Sequence, residues 1–265
     1  MVFSAFIDGI GFWAAGLPGW AQAAAAMRGD GPSGTAAPAR PAAARLPPNE
    51  RRRAPDAVLL AVEVAQAAVE ASGREASSLA SVFTSAHGDL AVIDALCSTL
   101  ASAPTLLSPT RFHHSVHNAA SGYWGIASGS RHASTALAAY GHSFGAGLLE
   151  ALSLCTAEAQ PVLLVGHDTD ARGPMLSVNT SRGLLGVALV LTPVRSAASR
   201  FALRAELVPG AAATPAATPA GQALAANAQA DALPLFEALA SPGPGAVVLP
   251  VGRGSALRLT VVPLA

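Results

Sequence analysis

No lysine occurs in this chain; all 16 cationic residues are arginines. That excludes Schiff-base chemistry and the phosphate-binding lysine of a P-loop, whatever the glycine pattern suggests. Cysteine is almost as scarce. The two thiols, Cys97 and Cys155, fall in apolar helical runs and read as packing residues of a cytoplasmic chain rather than as reactive groups. Charged residues make up only 12% of the sequence, and 16 carboxylates balance the arginines, so no net field draws the chain to nucleic acid or a membrane. Asp8 interrupts the N-terminal apolar run and no basic segment precedes it, so neither a signal peptide nor an inserted helix is expected.

What the sequence has is length and apolar content. Its 265 residues, 51% of them apolar, suit one large or two small domains with a substantial core. Residues 2–7 read as a strand, Gly9 and Gly11 as a turn, and 18–27 as a helix opened by Pro18. Residues 28–48, rich in Pro, Ala, Gly and Arg, read as a surface loop. A helix over 56–71 carries the stripe Val58, Leu59, Val62, Val69 and stops at Gly73. Strands follow at 79–84, 161–166, 184–191 and 200–207, with a helix over 89–100. Alternating strands and helices predict a layered α/β fold with right-handed crossovers. Beyond Pro209 a Thr-Pro-Ala linker, a helix over 222–240 and a hairpin of 246–251 with 257–262 read as an appended unit. The expected division is therefore 1–208 and 209–265.

The segment 109–150 carries the chemistry. Residues 134–140 read as a short buried strand, 141–145 as a tight turn and 146–155 as a helix. Unpaired amides at a helix start bind an oxyanion or lower a nucleophile's pKa, so the turn decides the function. Gly141-His142-Ser143-Phe144-Gly145 is a literal G-x-S-x-G, which allows an α/β-hydrolase-type esterase or thioesterase using Ser143, with Asp168 or Asp170 as the acid. The triad order then requires a histidine after the acid, and none follows His167.

A second reading uses more of the chain. The stretch SPTRFHHSVHNAASGYWGIASG resembles the segment of β-ketoacyl synthases in which Ser-Pro, a Phe and an Asn precede a small-residue helix before the nucleophile strand. FIDGIGFWAAG is similar to that family's opening strand, LPPNERRRAPDAVLLAVEVAQAAVEASG to its Arg-rich helix start and helix, and SVFTSAHGD to its second strand. PVLLVGHDTD and RGLLGVALVLTP resemble the two strands after the nucleophile helix. These pieces occur in the family's order over residues 1–208 and most resemble the short ketosynthase-like proteins of aryl polyene and xanthomonadin-type pathways. The resemblance implies a thiolase/ketosynthase-like half, a layered α/β fold with a mixed five-stranded sheet, followed by a small C-terminal helix and hairpin.

Aligned on the synthase motif, Gly141 stands where the nucleophilic cysteine would be, and a one-residue slip puts Tyr140 or His142 there. None is a thiol. The family's two histidines and its lysine belong to a second half that has no counterpart here, so the thiolate and imidazoles of decarboxylative condensation are missing. The resemblance therefore implies a non-catalytic, chain-length-factor-like subunit, with a degenerate elbow at Gly141, His142 and Ser143. Its partner would be a full-length ketosynthase in a heterodimer, with acyl carrier protein engaged indirectly through that partner. Acyl-tunnel candidates are Phe112, His114, Ser115, Trp124 and Phe144. Interface candidates are Ser134, Ala136, Leu137, Ala138, Tyr140 and Asn118, because the strand before the elbow is an edge whose exposed amides call for a partner. No cofactor and no metal is implied.

Other signals have plainer readings. His113, His114 and His117 share a helix face but have no nearby Cys or carboxylate, and read as hydrogen-bonding interface histidines rather than a metal cluster. Arg51, Arg52 and Arg53 read as a solvated helix start, with phosphate binding as the alternative. Asn179-Thr180-Ser181 matches a glycosylation acceptor and reads as a loop. Phe112, Tyr123, Trp124 and Phe144 read as core or interface, with a ligand-stacking platform as the alternative.

Overall fold

The computed structural model describes residues 1–31 and 39–265; residues 32–38 of the expected loop lie outside these. The elements run β1 Val2–Ala14, α1 Trp20–Arg28, α2 Pro48–Arg53, α3 Asp56–Ser72, β2 Ala80–Thr84, α4 Leu90–Ser102, α5 Pro109–His114 and α6 Ala119–Ser128. There follow β3 Ser134–Leu137, α7 Ser143–Ala157, β4 Val162–Asp168, β5 Leu185–Thr192, β6 Phe201–Pro209, α8 Pro219–Leu224, α9 Leu233–Ala240, β7 Gly245–Gly252 and β8 Ser255–Pro263. Among the described residues the eight strands form one sheet in the order β3-β2-β4-β5-β1-β6-β8-β7. β2 is parallel to both β3 and β4, and the remaining pairings are antiparallel.

β1 is longer than the sequence suggests. Gly9 and Gly11 do not turn the chain; they continue the strand beneath α3, whose backbone lies against it. A Cβ on Gly9 would stand 1.9 Å from the Ala68 carbonyl oxygen, and one on Gly11 2.0 Å from that of Val64. Only glycine lets a helix approach a strand so closely. α3 ends as expected at Gly73, which is left-handed at φ 66°.

Two apolar layers cover the sheet. α3 and α6 bury Leu60, Val64 and Trp124 against Phe83 and Val165 on one face. α1, α7 and α9 bury Met27, Leu148 and Phe236 against Phe12, Val162 and Leu257 on the other. Burial of each large side chain contributes roughly 1.5–3 kcal/mol.

The C-terminal segment joins the same sheet and the same core. The expected helix over 222–240 is split into α8 and α9. The hairpin is present, but β8 pairs with β6 from Phe201↔Pro263 to Pro209↔Ser255, so the five strands β3-β2-β4-β5-β1 continue without a break into β6-β8-β7. Leu233, Leu235 and Phe236 of α9 are fully buried in the same core as Phe144. The cysteines also divide: Cys155 is buried and its thiol pushed up to about 11 by burial, whereas Cys97 is exposed.

Candidate functional site

The elbow lies where β3, the sheet's edge, gives way to α7. β3 is shorter than expected. It pairs with β2 from Ser134 to Leu137, beyond which Ala138 and Ala139 lead into a 3₁₀ turn at Tyr140–His142. Tyr140 adopts φ 54°, a strained conformation for a residue with a Cβ, and its hydroxyl donates to the Val178 carbonyl at 2.6 Å. Among the described residues the outer side of β3 has no strand partner.

Ser143 is the first residue of α7 and is completely buried. Its hydroxyl donates to the Tyr140 carbonyl at 2.7 Å and accepts from the Ala139 amide at 3.1 Å. Among the described residues no histidine is hydrogen-bonded to it. Asp168, the proposed acid of the hydrolase reading, instead accepts from the Ser85 hydroxyl at 2.7 Å and the Ala86 amide at 3.0 Å. Asp170 accepts from the Gly183 amide at 2.7 Å. The geometry gives no support to an esterase. Even the second glycine of the motif has another cause, because a Cβ on Gly145 would stand 2.1 Å from the Pro250 carbonyl oxygen of β7.

Two of the amides that open α7 are already occupied. Asp231 Oδ2 accepts from the Phe144 amide at 3.0 Å and the Gly145 amide at 3.3 Å. Burial pushes the Asp231 carboxyl up to about 7 against the pull of those two amides. Two residues earlier, Gln229 donates to the Thr84 hydroxyl at 3.3 Å, and Asn227 donates to the Gly183 carbonyl at 2.9 Å. Nothing local in the sequence marks these residues, which lie in an alanine-rich stretch far along the chain from the elbow.

The tunnel candidates separate. Phe112 and Ser115 line an apolar groove of about 330 Å³ with Leu96, Cys97, Leu100 and Leu107. His114 is buried, its Nε2 at 2.7 Å from the Tyr123 hydroxyl, and faces a different cavity of about 320 Å³ bordered by Glu50, Arg53 and His113. Trp124 and Phe144 lie in the cores on opposite faces of the sheet, so the four aromatics do not form one platform. Of the interface candidates, Ser134, Ala136 and Leu137 are on the open edge, Ala138 and Tyr140 are exposed just beyond it, and Asn118 is exposed at the start of α6. His117 turns away from its two neighbours, its Nε2 at 3.0 Å from the Ser85 carbonyl. Among the described residues no group of His, Cys, Asp and Glu is placed to hold a metal.

A buried polar nest escaped the sequence reading. His87 Nδ1 is 3.6 Å from Asp168, and His167 is adjacent in sequence to that carboxylate. Burial pushes Asp168 up to about 7 and His167 down to about 3. Both His167 nitrogens lack hydrogen-bond partners among the described residues.

The family profile of the β-ketoacyl synthase N-terminal domain matches residues 20–246, most of the chain. The chain belongs to that family. Its fold is the mixed α/β ketosynthase-like one. A ketosynthase (ApeO) in complex with its chain length factor (ApeC) from Xenorhabdus doucetiae aligns at TM-score 0.73 and 21% identity, over 97% of this chain and 99% of the matched one. The ishigamide ketosynthase/chain length factor aligns at 0.72 and 17%, over 99% and 100%. AntDE:AntF, a type II acyl carrier protein in complex with its ketosynthase, aligns at 0.73 and 10%, over the whole of both chains. No curated protein matches. Among the described residues no helix is long and apolar enough to cross a membrane.

Proposed function

We propose that this chain is a non-catalytic, chain-length-factor-like subunit. It pairs with a full-length ketosynthase in type II polyketide or fatty-acid-like biosynthesis of the aryl polyene kind, and shapes the acyl tunnel. Acyl carrier protein is engaged through the partner. The observation that carries this reading is the open edge of β3 beside a degenerate elbow. A parallel-sheet edge leaves backbone amides and carbonyls unpaired and favours addition of another strand. Large exposed apolar side chains accompany it: Leu106, Phe112, Ile126, Tyr140 and Val178 are each 59–75% exposed, all in segments that precede or follow β3. Large exposed apolar side chains are the kind of surface that marks an interface.

Inactivity is supported by composition and geometry together. Gly141 stands in the turn in place of a thiol, and Ser143 is buried. The neighbouring folds reinforce the partner assignment, since ketosynthase complexes with a chain length factor align with this chain end to end. The apolar groove at Phe112 and Ser115 is the tunnel candidate this reading assigns to the acyl chain. In this reading residues 1–208 are the synthase-like half, and residues 209–265 cover apolar surface that a second half would otherwise bury. Co-expression with a full-length ketosynthase tests the assignment. The two chains should co-purify one to one, with product formed only when both are present. Separate elution, or equal product without this chain, contradicts it.

A further inference from the structure

The segment 227–231 reaches the strand ends with three polar side chains at alternate positions. Asn227 and Gln229 are 5% and 0% exposed. Asn227 holds the loop after β4, Gln229 the end of β2, and Asp231 the first amides of α7. The fit is close on both sides: a Cβ on Gly166 of β4 would stand 2.2 Å from Gln229 Nε2. The second Asp231 oxygen, Oδ1, is shut off from solvent and has no hydrogen-bond partner among the described residues. A buried carboxylate with one oxygen unpaired is costly, and two charge-assisted bonds to a helix start are what offset that cost.

We propose that this segment is an internal plug, in which the Asp231 side chain occupies the position that the first amides of α7 would otherwise offer to an acyl oxyanion. The inference rests on the elbow being non-catalytic and adds how it is kept so. The ligand class of the position is a small carboxylate, and the chain supplies its own. Tethering makes it hard to displace, because Leu233, Leu235 and Phe236, immediately after, are fully buried and hold the segment down. α7 thereby becomes a fixed support for the exposed turn at Tyr140–His142 instead of a site that binds and releases an anion.

The test uses the chain alone, so its failure leaves the partner assignment standing, and failure of the complex leaves the plug standing. Asp231→Ala vacates the position. Sodium formate, compared with sodium chloride at equal ionic strength, should raise the Tm of the variant by several degrees in a saturable way and leave the wild type unmoved. Amide exchange at Phe144 and Gly145 should be at least about tenfold faster in the variant and slow again with formate. An equal formate response in both proteins, or unchanged exchange at the two amides, overturns the proposal. If Asp231→Ala does not fold, exchange is measured in Asp231→Val, which keeps bulk at the position and offers no acceptor. Faster exchange at either amide supports the plug and unchanged exchange overturns it.

Discussion

Gly145 lies against Pro250: a Cβ at the elbow glycine would stand 2.1 Å from the Pro250 carbonyl oxygen. The glycine of the apparent nucleophile motif is thus required by the packing of β7 onto α7. Replacing Gly145 by Ala forces two backbones apart in a filled core, a change that costs about 1–3 kcal/mol. Thermal unfolding should show Gly145→Ala lowered by several degrees, and Gly141→Ala, where a Cβ meets open space, nearly unchanged.

Ser143 bonds two backbone groups of the turn, so Ser143→Ala removes the acceptor of the part-buried Ala139 amide and should cost about 1 kcal/mol. It should change no chemistry. Incubation with p-nitrophenyl esters should give no turnover in either protein; turnover abolished by the substitution would restore the esterase reading.

Stability should depend on pH through Asp231 and Asp168. Each carboxyl is raised from 3.8 to about 7 by burial, so the folded chain holds protons that the unfolded chain has released. Their contribution is present in full below about pH 4 and is lost as pH rises toward 7. His167, lowered from 6.5 to about 3 by burial, acts oppositely and destabilises as pH falls below 6.5. Asp231→Asn removes one carboxyl, so the Tm of the variant minus that of the wild type should increase from pH 4 to pH 8. A flat difference contradicts the assignment.

Truncation after Leu207 should give insoluble protein. It removes β8, the partner of β6, together with α9, and bares the core around Phe144 and Leu148. A soluble, cooperatively unfolding truncation would show the tail to be dispensable.

Much of this was legible in the sequence because the signals were local. Continuous apolar runs gave β4 and β5, and Gly73 gave the end of α3. The order of the synthase-like segments gave the family. The rest depended on tertiary approach. Gly9 and Gly11 look like a turn until α3 is laid across them, and the split of the expected tail helix follows from bending the chain to bring Asp231 to α7. Asp231 itself is separated from Phe144 by 87 positions, beyond any periodicity or motif. Aromatics close in sequence to the elbow, Trp124 and Phe144, lie on opposite faces because α6 and α7 cover opposite sides of the sheet.

The central claim is the β3-edge heterodimer, and a charge at that edge tests it most directly. Leu137→Asp places a carboxylate in the strand-paired seam, and Ala138→Asp does so at a residue exposed in the free chain. Burying either without a partner costs several kcal/mol in an interface of about 2,000 Å² or more. Leu137 also packs against the chain's own core, so Ala138→Asp is the variant that circular dichroism should show folded like the wild type, and it should neither co-purify with the ketosynthase nor support product. Phe112→Ala should keep the complex and change product length, since it removes bulk from the groove without touching the strand. Co-purification and product unchanged in folded Ala138→Asp would contradict the edge-strand heterodimer.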